Sequence, residues 1–179
     1  MIRLEYFTED DFEQLIKWNE NTSPYFLLQW AGPAFTFPLT KDQLLTYIED
    51  SNTPDATKRI YKVIDTETEK NVGHIALTNI DYYHNSARIG KVLIGGTSMR
   101  GKGIGSLMMQ EIIKIGFRDL NLHRLSLGVF DFNQSARACY QKVGFQTEGL
   151  LRDYRKIGNS YWSLYEMSIL EDEWEQKLE

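Results

Sequence analysis

A single cysteine, Cys139, in 179 residues excludes an intramolecular disulfide and a cysteine-rich zinc site. No apolar run approaches the length that crosses a membrane, and "MIRLEYFTED" carries acidic residues where a secretory signal would need an apolar stretch. A basic excess is also missing. Twenty Lys and Arg against 25 Asp and Glu leave a formal charge of −5, which speaks against a nucleic-acid footprint. Prolines number four, and "NTSPYFLLQWAGPAFTFPLT" (21–40) holds three of them. No repeat, low-complexity tract or linker interrupts the chain. With 42% hydrophobic and 25% charged residues, one cytoplasmic domain over 1–179 is expected, with no membrane, nucleic-acid or metal partner.

Hydrophobic periodicity supplies the elements. "IRLEYF" (2–7) predicts a strand, and Thr8 an N-cap for a helix carrying Phe12, Leu15 and Ile16 on one face. Thr40 with Gln43 predicts a capping box before "KDQLLTYIED". The stretch 21–40 between them reads as a packed irregular connection, either core filling or a substrate wall. Its Trp30 and Phe35 are the candidate substrate contacts. From residue 58 strands dominate: "KRIYKVID", "VGHIALTNI", "SARIGKVLIG", "HRLSLGVF", and a closing pair "FQTEGLLRDY" and "SYWSLYEMSIL" around the turn "KIGN". "EDEWEQKLE" predicts a short terminal helix. Ser106, Gln110, Lys114 and Arg118 recur every four residues amid apolar ones, so the helix from Ile104 to Phe117 lies against a sheet with one wet edge.

The most informative stretch is "GGTSMRGKGIG" (95–105), five glycines and two cations directly before that helix. Glycines let the main chain approach a bulky anion, and the unpaired N–H groups of a helix start suit a phosphate. The dinucleotide pattern G-x-G-x-x-G fails, because Gly101, Gly103 and Gly105 are spaced G-x-G-x-G. The nucleotide-triphosphate pattern runs from Gly96 to Lys102, but Gly103 stands where the magnesium-binding hydroxyl belongs. The third pattern, R/Q-x-x-G-x-G/A, is met by Arg100, Gly103 and Gly105.

"MRGKGIGSLMM" resembles the acyl-CoA-binding turn of the Gcn5-related N-acetyltransferases. The later "DFNQSARACYQKVGF" resembles that superfamily's second hallmark, met by Asn133, Ala136, Tyr140, Gly144 and Phe145. "GFQTEGLLRDY" is most similar to the branch containing ribosomal-protein N-terminal acetyltransferases, with spermidine and some antibiotic acetyltransferases also similar. The resemblance implies an α/β (α+β) fold: a mixed, mostly antiparallel twisted sheet flanked by helices and splayed at the acyl-CoA site. It implies acetyl-CoA as co-substrate, a primary amine as acceptor, direct attack in a ternary complex, and a possible homodimer.

Carried over by position, the backbone of Leu93, Ile94 and Gly95 would meet the pantetheine arm. The N–H groups of Arg100, Gly101, Lys102, Gly103, Ile104, Gly105 and Ser106 would meet the pyrophosphate. Asn133 would contact the CoA arm or cap a helix, Ala136 belongs to the same motif, and Tyr140 would protonate the departing thiolate. No general base stands out. Glu148 and Glu166 are the main candidates, with Asp131, His74 and His84 behind them. Where relatives of this branch often carry an acid before Ile-Gly, this chain has Arg88, followed by Lys91, which argues against a polyamine acceptor. Cys139 lacks an activating base in sequence. A non-catalytic acyl-CoA-binding or sensor domain and a nucleotide-triphosphate protein are the alternatives.

Overall fold

The computed structural model describes residues 1–96 and 101–177. Seven strands form one sheet: β1 (Ile2–Tyr6), β2 (Arg59–Asp65), β3 (Lys70–Asp81), β4 (Ser86–Ile94), β5 (Arg124–Phe130), β6 (Gln146–Ile157) and β7 (Ser160–Leu170). Their spatial order is β1-β2-β3-β4-β5-β7-β6. Every neighbouring pair is antiparallel except β4 and β5.

That parallel pair shapes the molecule. It is registered over three residue pairs, Ser86 with Arg124 through Arg88 with Ser126, although β4 runs on to Ile94 and β5 to Phe130. Beyond Arg88 the two strands separate. Backbone groups on their facing edges are then free of one another, and each needs another partner. This is the splay the family resemblance implies, in a sheet of the expected mixed kind.

Apolar alternation covers both sheet faces. Ile75, Leu77, Ile89, Leu125, Leu127, Met167 and Ile169 face α4 (Ile104–Lys114) and α5 (Gln134–Val143), meeting Met108, Met109, Ile112 and Phe117. Ile60, Ala76 and Leu93 face α1 (Phe12–Asn19), α2 (Pro24–Ala31) and α3 (Lys41–Ile48), meeting Leu15, Leu27, Trp30 and Leu44. The short α6 (Glu171–Glu175) buries Trp174 against Phe117.

Three local expectations change. Thr8 precedes a 3₁₀ turn, Glu9–Asp11, whose Asp11 carboxylate accepts from the Thr8 N–H at 2.9 Å, and α1 starts only at Phe12. The stretch 21–40 is not an irregular connection throughout. Ser23 accepts from the Phe26 N–H, Pro24 takes the first helical turn, and α2 follows. The helix from Ile104 stops at Lys114 and continues as a wide π-turn, Ile115–Asp119, in which Gly116 packs against Leu125, 2.8 Å from where a Cβ would stand.

β4 also carries a bulge. His74 pairs with Leu93 and Ala76 with Gly90, so Lys91 and Val92 together oppose Ile75, and Lys91 sits at φ +52. A left-handed lysine costs roughly 1 kcal/mol relative to glycine. The bulge turns the Lys91 carbonyl onto buried His74, whose Nδ1 lies 2.9 Å away and donates. Nε2 then accepts from the Tyr47 hydroxyl at 3.4 Å, and Phe7 and Trp30 present edge contacts to the ring.

Burial lowers the His74 pKa from 6.5 to about 4; the bond to the Lys91 carbonyl and the charge of Asp11 offset only part of it, and the Lys91 ammonium adds to it. The unfolded chain therefore binds a proton between those values that the folded chain refuses, so this contribution is full above pH 6.5 and lost as pH falls toward 4. Urea unfolding at pH 7 and pH 4.5 should show wild type losing about 2 kcal/mol more than His74→Gln. Equal losses would remove His74 as the acid-sensitive element.

Candidate active site

Where β4 and β5 part, a cavity of about 580 Å³ opens. Ile89 to Ile94 form one side, Leu127 to Phe130 the other, with Phe26, Gln29 and Trp30 of α2 above and the α5 N-cap Asn133 with Ser135, Ala136, Cys139 and Tyr140 of α5 below. Gly101, Gly103, Gly105 and Ser106 close one end.

That end is built as an anion site. Gly101 and Gly103 both sit at φ +78, a conformation glycine adopts without Cβ cost, and no atom lies within 4 Å of where either Cβ would stand. Gly103 caps α4, and the first bond up the helix runs from the Leu107 N–H to the Gly103 carbonyl. The N–H groups of Ile104, Gly105 and Ser106 precede it and have no acceptor within the helix, an arrangement suited to an anion. Lys102 is exposed beside them. Arg100 lies outside the described residues.

Along β4 the backbone divides its work. The Gly95 N–H donates to the Val72 carbonyl at 2.8 Å, so this amide is used within the sheet and is not open to a pantetheine arm. Strand alternation turns the Ile94 amide the opposite way, toward the gap. Glycine at 95 has a steric cause: a Cβ there would stand 2.1 Å from the Trp18 indole of α1.

On α5, Asn133 accepts from the Ala136 N–H at 3.3 Å, so the capping role is formed while its residue also lines the cavity. Tyr140 lines the cavity, and burial raises its pKa, so the phenol keeps its proton across the physiological range. Its hydroxyl has no hydrogen-bond partner among the described residues. Cys139 Sγ is 3.4 Å from Ser106 Oγ, with no histidine or carboxylate among the lining residues to activate it.

The two carboxylates expected as bases are elsewhere and occupied. Glu148 is exposed. Arg124 donates to both its oxygens at 2.7 Å and Ser168 donates at 2.7 Å, which hold its carboxyl down at about 2. A group so acidic is a poor acceptor for an ammonium proton. Glu166 takes both hydrogen-bonding arms of Arg88, Nη2 to Oε2 at 2.9 Å, across the top of β5. The bridge passes over Gly128, which pairs with Glu166 and whose absent Cβ would stand 2.7 Å from Arg88 Nη2. His74 is walled into the core, His84 pairs with Asp81 in the β3–β4 turn, and Asp131 is exposed past the end of β5; none lines the cavity.

Of the two expected substrate contacts, Trp30 lines the cavity while its Nε1 donates to Asn19 Oδ1 at 3.0 Å. Phe35 does not reach it. It is buried against Tyr47, ring centroids 5.1 Å apart. Phe26 and Gln29 line the wall in its place; Phe26 stands one helical turn before Gln29 and Trp30, a spacing that becomes readable once α2 is recognised as a helix. Tyr25 extends the wall across the gap to Trp162, which also packs on Phe130 and Phe132.

The acetyltransferase (GNAT) domain family matches residues 4–164. The chain is 34% identical to the uncharacterized N-acetyltransferase p20 of Bacillus licheniformis, over 64% of this chain and 63% of that one. It is 31% identical to the putative ribosomal N-acetyltransferase YdaF of Bacillus subtilis, over 58% and 55%. For both, the aligned stretch spans less than two thirds of the relative's length. The spermidine N-acetyltransferase of Vibrio cholerae, solved in complex with CoA and spermine, superposes with a TM-score of 0.81 at 25% identity, over 97% of each chain. This chain belongs to the acetyltransferase (GNAT) domain family.

Proposed function

We propose that the chain acetylates a primary amine, a protein N-terminus or a small molecule, by direct attack on acetyl-CoA with both substrates bound together. The observation that carries the reading is the strand gap itself. An anion site at the α4 start lies at one end, the Tyr140 phenol stands in one wall, and α2 closes the opposite face. CoA would lie along Ile94 with its pyrophosphate on the N–H groups of Ile104 to Ser106, Arg100 adding charge, and the amine would approach from the α2 side.

The amine nitrogen forms the new bond to the thioester carbon as the C–S bond breaks. The ammonium first loses one proton to water to become the attacking amine. Tyr140 then gives a proton to the leaving sulfur, and the second proton shed by the acylated nitrogen returns to Tyr140 through water. Proximity supplies much of the acceleration. Water is the base in this scheme because no carboxylate or histidine is among the described lining residues. The same observation favours the second reading, a non-catalytic acyl-CoA-binding domain, which thiol release with any amine would exclude. A homodimer, expected from the resemblance, has a surface available on the edge strand β6, where Leu150, Leu151 and Tyr154 are exposed.

Initial velocities with acetyl-CoA and amine varied together test the mechanism. Intersecting double-reciprocal lines are expected. Parallel lines would mean an acetyl-enzyme, with Cys139 as its only thiol, and would overturn direct attack.

A further inference from the structure

The cavity has an uneven charge. Among its described lining residues there is no Asp or Glu, and Lys91 is the one charged side chain. Residues 97–100 are Thr, Ser, Met and Arg, so they add no carboxylate either. Glu166, on the sheet face turned toward α2, is already neutralised by Arg88.

Lys91 itself is unbalanced. Its ammonium is half-buried, 5.4 Å over the Tyr47 ring, with no hydrogen bond or ion pair among the described residues. Lys58, bonded to the Tyr47 carbonyl at 2.8 Å, adds a second positive charge nearby. Burial and that charge both push the Lys91 pKa down, the condition of an ammonium lacking its counter-ion. Next to it Gly90 opens the space: nothing lies within 4 Å of where its Cβ would be. The position also carries a backbone cost, since φ +52 favours glycine and a lysine stands there instead. A polyamine acceptor would bring a further ammonium to this place and find no carboxylate to meet it. An acceptor with an acidic group would find an under-solvated cation beside open space.

We propose that Lys91 binds a carboxylate of the acceptor, so that the amine acetylated here belongs to an acid-bearing molecule such as an amino acid or an acidic peptide N-terminus. The inference rests on the acetyltransferase reading above. A charge-assisted pair of this kind fixes the acceptor's orientation and keeps its amine on the α2 side of the thioester.

The test is thiol release from acetyl-CoA by wild type, Lys91→Met, Lys91→Glu and Lys91→Gly. The amines are glutamate, a Glu-Ala dipeptide amide and spermidine; the first two separate free amino acids from peptide N-termini. Wild type should favour at least one carboxylate-bearing amine over spermidine by about tenfold or more in kcat/KM. Lys91→Met should raise KM for that amine at least about tenfold and change kcat much less. Lys91→Glu should move the preference toward spermidine. Lys91→Gly should lose acceptor affinity like Lys91→Met without lowering the unfolding midpoint, which separates recognition from folding.

A wild-type preference for spermidine, or an equal loss toward all three amines in Lys91→Met, overturns the inference while leaving the transferase reading intact. Failure of acetyl-CoA to stabilise the wild-type protein, with no thiol released by any amine, overturns both.

Discussion

Replacing Tyr140 by Phe is expected to lower kcat by about 10²-fold, the range removed with a positioned acid, while acetyl-CoA affinity and stability stay close to wild type. The expectation follows from the hydroxyl's surroundings. Tyr140 is 9% exposed and lines the cavity, yet its hydroxyl bonds to no described residue, so its removal leaves no protein donor or acceptor unpaired. Burial keeps the phenol protonated, which is the state an acid needs before it acts. The sign has a kinetic consequence: any alkaline limb in the pH profile near neutrality must come from the amine or another group, and it should survive the substitution. Steady-state kinetics with one amine, for both proteins, measure this. A kcat within twofold of wild type would take the acid role from Tyr140 and leave the thiolate to depart unassisted.

Gly95→Val is expected to cost about 3 kcal/mol, the upper part of the range for overpacking, or roughly 6 to 12 °C in the unfolding midpoint of a chain this size. The reason for glycine here is Trp18: its Cζ2 and Cε2 would be 2.1 and 2.2 Å from the new Cβ. Either the indole moves or the end of β4 does, and the second displaces the Ile94 amide from the gap. The single substitution should therefore also weaken acetyl-CoA binding. Trp18→Ala combined with Gly95→Val should recover part of both losses, because the two residues contend for one volume. Additive losses in the double variant would show that the collision is not what fixes glycine at 95.

The strand set and the α4 edge were legible because their signals are local. Alternation marks β5, and the four-residue recurrence of Ser106, Gln110, Lys114 and Arg118 marks the outer edge of α4. The glycine turn was legible for the same reason, since spacing alone separates it from the dinucleotide and triphosphate patterns. α2 was hidden by composition: three prolines and five aromatics in 21–40 outweighed Ser23–Pro24, a helix-start pair that was there to be read. The fate of the candidate bases was not legible at all. Glu148 and Glu166 are taken by Arg124 and Arg88, residues 24 and 78 positions away in sequence, and only strand order brings them together. Lys91 could be noted as a cation; that it lies in a cavity whose described lining holds no carboxylate depends on the bulge and on the parting of β4 from β5.

The central claim is that the gap between β4 and β5 holds an acyl-CoA, and thermal unfolding with acetyl-CoA, CoA or magnesium-ATP added separately tests it most directly. A ligand bound only by the folded chain, at 100 times its dissociation constant, adds about 2.7 kcal/mol, or roughly 5 to 10 °C here. The account predicts that rise with acetyl-CoA and with CoA and none with magnesium-ATP. A rise with magnesium-ATP alone would contradict it.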